Sequence, residues 1–101
     1  MEQLSKKSNY DLEERTEKFA GQVIDLLKTI KVTAINERII TQLVGSTGSI
    51  GANYCEATEA ESKQDFIHKI GISRKEIKET KHWSRLLARS NSERAEEIRK
   101  L

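Results

Sequence analysis

Three glycines at three-residue spacing, Gly45, Gly48 and Gly51, lie inside a stretch whose apolar and small residues never lose helical phase. From Ile35 the stripe runs through Ile39, Leu43, Ser46, Ile50, Asn53, Ala57 and Ala60, always in steps of three or four. Residues so spaced share one face of an α-helix, and a loop has no reason to keep that phase. Each interior glycine costs a helix about 1 kcal/mol relative to alanine, so three of them require a packing reason. Gly45, Ser49 and Ala52 form a small-residue flank beside the stripe, with Gly48 next to it. A neighbouring backbone can approach closely along such a surface, by the steric logic that small residues serve in membrane helices. A phosphate cradle is a poor alternative. A Walker loop closes on Gly-Lys-Ser/Thr after a strand, whereas this stretch ends in Gly51-Ala52-Asn53 with no strand pattern before it. A structural loop is the other alternative; the preserved phase favours a slim helix.

The rest of the chain reads the same way. It has no proline, 34% charged residues and 5% aromatics, a composition that suits helices better than sheets. At 101 residues it has the size of one domain. Residues 1–10 are polar and are expected to form a flexible N-terminal segment, without the apolar run of a signal peptide. Asp11 with Glu14 has the form of a capping box ahead of a stripe through Leu12, Thr16, Phe19, Val23, Leu27 and Ile30, giving a helix over about 11–30. Thr33 is the expected cap of a second helix over 34–60. Ser62 and Asp65 form a capping box for a third over 63–89, whose stripe is Phe66, Ile70, Ser73, Ile77, Thr80, Ser84 and Leu87. The second and third helices have no Gly or Pro between them, so one long rod is the alternative. Ser90–Glu93 breaks the pattern, and a short fourth helix occupies 92–101. The chain is therefore all-α, with 11–101 a single bundle domain and the fourth helix truncated. No run approaches membrane-spanning length, and the lone Cys55 forms no internal disulfide. A cytoplasmic location is expected.

The run SIGANYCEA at 49–57, DFIHKIGISRKEIKETKHW at 65–83 and DLEERTEKFA at 11–20 together resemble one bacterial family. It includes the proteins encoded in intervening sequences of large-subunit ribosomal RNA genes, and the accessory variability determinant of diversity-generating retroelements. The resemblance implies an up-down-up-down antiparallel four-helix bundle that assembles into a homopentamer. For the retroelement member it also implies binding of nucleic acid and of a reverse transcriptase. Family members continue through a long fourth helix, which here is a stub.

Charge supplies the sharpest functional signal. Residues 1–61 hold 7 Lys and Arg against 10 Asp and Glu, whereas residues 62–101 hold 11 against 6. Within the basic part, Arg74, Lys78, Lys81, Arg85 and Arg89 fall along one side of the third helix, over about 22 Å at 1.5 Å per residue. A nucleic-acid strand can meet several of them with its phosphates. The competing readings are a solvated face, or pairing with Glu13, Glu14 and Glu17 of the first helix. Trp83, on the opposite flank with Ile72, Glu76, Glu79 and Leu86, reads better as a packing or subunit contact than as a platform for bases; Tyr54 is read likewise. His68 and His82 stand about 21 Å apart on a straight helix, too far to share a metal within one subunit. Cys55 has no predicted base beside it, which a nucleophile requires. No catalytic constellation, metal site or cofactor site is expected. Asn53, on the core stripe, is expected to join a hydrogen-bond network with Glu56. Two functions stand: a non-enzymatic oligomeric adaptor that binds nucleic acid and docks a protein partner, or a purely structural self-assembly module.

Overall fold

The glycine-bearing stretch is helical from end to end, and none of its glycines adopts a positive φ. The computed structural model describes residues 2–101, with side chains from Leu12 onward. Its helices are α1 (Glu2–Lys28), α2 (Glu37–Thr58), α3 (Lys63–Ser90) and a short α4 (Ala95–Arg99), the last entered through a 3-10 turn at Ser92–Arg94. No strand occurs among the described residues. α1 and α3 both pack on α2, and α4 packs on α3. The result is a helix bundle of 47 × 23 × 16 Å.

Local signals set most of the helix boundaries. Ser62 accepts a hydrogen bond at 3.0 Å from the Asp65 backbone N–H, and its extended backbone (φ −145°, ψ 160°) starts α3 afresh. That break excludes a single long rod. Thr33 caps reciprocally with Asn36. The Thr33 hydroxyl accepts from the Asn36 N–H at 3.1 Å, and the Asn36 side-chain carbonyl accepts from the Thr33 N–H at 2.7 Å. One turn then intervenes before regular α2 begins at Glu37. At the N-terminus the expectation is corrected: α1 begins at Glu2, so Asp11 lies inside a helix and does not start one. Helical backbone thus covers residues 2–10, expected to be a flexible segment, while Met1 lies outside the described residues. α1 ends at Lys28, and Thr29 and Ile30 close a tightened last turn on Leu26 and Leu27. The expected helix over 92–101 divides into the 3-10 turn and the five-residue α4.

The apolar core gathers at one end. Val23, Leu27 and Ile30 of α1 and its closing turn meet Leu43, Leu87, Ala88 and Ile98, with Phe19, Ile39 and Trp83 packed alongside. A polar fastening secures that end. The buried Asn36 amide donates to the Lys31 carbonyl at 3.0 Å and to the Asn91 side-chain oxygen at 3.2 Å. Arg94 donates to the Thr29 carbonyl at 3.2 Å and to the Thr29 hydroxyl at 2.8 Å, and pairs with Glu97. The α1–α2 loop is therefore bound to the α3–α4 corner.

The middle of the bundle is narrower and more polar. Ser46, Thr47, Ser73 and Thr80 are buried. Thr80 donates to the Ser46 hydroxyl at 2.9 Å, and Ser73 donates to the Ile50 carbonyl at 3.0 Å, so the small seam between α2 and α3 is hydrogen-bonded across. Only Gly51 among the three glycines supplies a close approach within the chain. A Cβ placed there would stand 3.0 Å from the Thr16 hydroxyl oxygen and 3.3 Å from its Cβ. Gly45, Gly48 and Ala52 are exposed and Ser49 is half-buried, and a Cβ on Gly45 or Gly48 would meet open space. The small flank is thus an outer surface of the chain, and the close approach, to the Thr16 side chain, falls at Gly51 instead.

Candidate nucleic-acid interface

α3 presents the five predicted cations as one surface. Arg74, Lys78, Lys81, Arg85 and Arg89 are all exposed. Among the described residues none of them forms an ion pair. The expected alternative, pairing with the acidic residues of α1, is not what the fold does, and the geometry explains why. α1 and α3 face each other across an open groove, while Glu13 and Glu17 lie on the α2 side of α1. Glu13 and Glu17 lie at the α1–α2 edge, beside Tyr54 and Cys55. The Tyr54 hydroxyl is pushed above its ordinary pKa by partial burial, then by Glu13 and Cys55. The Cys55 thiol, though exposed, is pushed up by local desolvation and then by Glu13 and Glu17. A raised thiol pKa lowers the thiolate fraction and opposes nucleophilic chemistry.

The basic surface is wider than α3 alone. Lys81 and Arg85 stand on the rim of an open groove between α1 and α3, of about 590 Å³. Arg15 of α1 and Arg99 of α4 line the same groove. Its apolar walls are Leu12 and Phe19 from α1 and Ile77 from α3, with Ile50 of α2 at the floor and Leu101 at the α4 end. Arg74, Lys78 and Arg89 lie on the helix outside it. Sequence reasoning found the α3 cations but missed Arg15 and Arg99. They lie far from the α3 cations in sequence or on another helix, and only the fold brings them to Lys81 and Arg85.

The other singled-out residues fall as follows. Trp83 is half-buried against the core, its indole N–H donates to a Glu79 carboxylate oxygen at 3.1 Å, and its ring meets His82 edge-on at 5.0 Å. That is a packing position. His68 and His82 are exposed. Asn53 is half-buried and donates to the Ser49 carbonyl of its own helix at 2.9 Å. Glu56 instead accepts from Lys69 of α3 at 3.5 Å. The expected Asn53–Glu56 network is replaced by two separate interactions, because Glu56 turns toward the neighbouring helix. Among the described residues the buried asparagines are Asn36 and Asn91, which helical periodicity does not single out. No helix among the described residues is long and apolar enough to cross a membrane.

A family model described as 23S rRNA-intervening sequence protein matches residues 8–101. Among solved structures, the chain is similar to a protein of unknown function from the S23 ribosomal protein family of Bacteroides thetaiotaomicron. Identity is 35%, the match covers 85% of this chain and 82% of that one, and the TM-score is 0.68. No curated protein matches.

Proposed function

We propose, because this chain belongs to the 23S rRNA-intervening sequence protein family, that it is a non-enzymatic cytoplasmic adaptor that binds nucleic acid, RNA foremost, through the basic flank of α3. The observation that carries this reading is the row of five exposed cations, Arg74 to Arg89, free of ion pairs among the described residues. A helix holds them over about 22 Å, so phosphates along a strand meet several charges at the cost of ordering side chains but not backbone. Lys and Arg on a helix surface bind mainly phosphates and read little sequence. Affinity therefore falls with salt, with a log–log slope of about −0.7 per phosphate neutralised on a single strand and about −0.9 on duplex DNA.

Self-assembly is the second part of the proposal. Leu12, Phe66, Ile67, Ile77 and Leu86 are exposed large apolar residues, and covering apolar surface stabilises by about 25 cal/mol per Å². A homopentamer is the form that the family resemblance suggests, and it would concentrate five copies of the basic flank. A reverse transcriptase is the protein partner suggested by the same resemblance to the retroelement determinant. The exposed Gly45, Gly48 and Ala52 surface, with Ser49 at its edge, offers a subunit contact.

The test is titration of labelled RNA and DNA into the wild type and an R74E/K78E/K81E/R85E variant at two salt concentrations. The wild type is expected to bind with weak sequence preference, and the variant to lose binding while keeping its helicity and sedimentation behaviour. Equal binding by both proteins would move the site off α3. No binding by the wild type at low salt would leave the self-assembly module as the function, and a sedimenting 11.6 kDa monomer at micromolar concentration would remove the assembly.

A further inference from the structure

We propose that His82 is a stacking platform for an unpaired base, which gives the α3 surface a contact that single-stranded RNA can use and duplex cannot. The inference rests on the reading of α3 as a nucleic-acid surface and adds an aromatic contact that charge alone does not supply. It starts from a row in the sequence. Lys75, Lys78, His82, Arg85 and Arg89 follow one another in steps of three and four. They therefore stand in line along one side of α3, with neighbouring Cβ atoms about 5–6 Å apart. All five are exposed. Among the described residues none of the four cations is held in an ion pair. The imidazole is centred in the row, with two cations on either side of it.

The surroundings of that ring steady it. His82 meets the Trp83 ring with 5.0 Å between centroids and the two planes 67° apart. An edge contact of this kind occupies at most one face of the imidazole, so at least one face remains for a planar partner. Trp83 is itself anchored: it is half-buried beside the core, and its indole N–H donates to a Glu79 carboxylate oxygen at 3.1 Å. The same hydrogen bond turns Glu79, the carboxylate one turn before His82, to the indole. A base laid on the imidazole thus meets a ring already in place, and its flanking phosphates meet Lys78 on one side and Arg85 on the other. Histidine is among the side chains on which splayed RNA bases stack, and every base has a π-face to offer. Paired bases keep their faces inside their own helix, so a duplex meets the cations and leaves the ring unused.

The probes are a fluorescein-labelled oligoadenylate of about 12 nucleotides, within the range of single-strand sites, and the same strand annealed to oligouridylate. H82A should weaken binding of the single strand about fivefold or more, the loss that removing one base–aromatic stack brings, and leave duplex binding unchanged. H82F should keep the single-strand affinity and H82K should not, because the position needs a ring and not a charge. K78E/R85E should weaken both probes, since phosphates meet those side chains in either. His82 is exposed, and circular dichroism checks that its variants keep their helices. Trp83, the chain's one tryptophan, supplies a direct readout. Unlabelled single strand should quench its emission in the wild type, the duplex should not, and H82A should lose the quenching. Single-strand binding that H82A leaves intact would overturn the stacking proposal while the basic surface stands. So would an equal loss of duplex binding in H82A, or rescue by H82K and not by H82F, which would make His82 one more cation. Wild-type protein that binds neither probe at low salt would remove the nucleic-acid reading and this inference with it.

Discussion

The two halves of this bundle are built on opposite plans. Around α4, aliphatic side chains from all four helices close an apolar core sealed by Ile98, and the Asn36–Asn91 pair fastens the loops across it. Along the α1–α3 face beyond α4, positions of the same helical stripes stay open. Ile77 and Leu12 remain exposed although Val23 and Leu87, further along those stripes, are fully buried. The stripes do not differ; what differs is whether a fourth helix lies across them. An amphipathic face states that something covers it and leaves open what does. In this chain five residues of α4 cover one part, and the remainder is a basic-rimmed groove.

The largest effect should separate the halves directly. Leu87→Ala should cost about 2–5 kcal/mol, the range for emptying a packed aliphatic site, whereas Ile77→Ala in the open groove should cost well under about 1 kcal/mol. Urea denaturation of the two variants measures both. A comparable loss for Ile77→Ala would show that something covers the groove in solution. Next comes the polar fastening. Asn36→Ala should cost about 1–3 kcal/mol, because it strands buried groups that it now satisfies, and Asn53→Ala should stay within about 0.5 kcal/mol. Thermal unfolding of the pair decides whether the fastened end is the stiffer one.

The glycines sharpen the comparison at smaller magnitude. Gly48→Ala meets open space and should stabilise the monomer by up to about 1 kcal/mol through helix propensity. Gly51→Ala should forfeit that gain against Thr16, whose hydroxyl is held by the Glu13 carbonyl at 3.0 Å. Pairing it with Thr16→Ala should restore the gain. If Gly48→Ala instead destabilises in a concentration-dependent way, the exposed small-residue surface is a subunit contact. The smallest effect concerns the acidic edge. Cys55 is held above its ordinary pKa partly by Glu13 and Glu17, so its thiolate forms at higher pH than in a free thiol. E13Q/E17Q should move the pH profile of iodoacetamide alkylation modestly toward lower pH, and an unmoved profile would leave local desolvation as the cause.

Much of this was written locally. The phase of α2 survives Gly45, Gly48 and Gly51 because backbone hydrogen bonds and side-chain periodicity repeat within a few residues. Thr33 was legible only as a cap and its reciprocal partner Asn36 was not, whereas the Ser62–Asp65 cap acts over three residues, so type and spacing alone reveal it. The five α3 cations share a flank for the same reason. Tertiary structure decided what a periodic pattern leaves unassigned. It determined that Asn36 meets Asn91 across 55 residues of chain, and that Glu56 turns to Lys69. It determined that Gly51, and not Gly45 or Gly48, lies close against a neighbouring side chain, Thr16. It also gathered Arg15 and Arg99 with Lys81 and Arg85 around one groove. Helical periodicity specifies a face for every residue, but burial and charge clustering depend on which other face arrives, and contacts distant in sequence are set only when the helices pack.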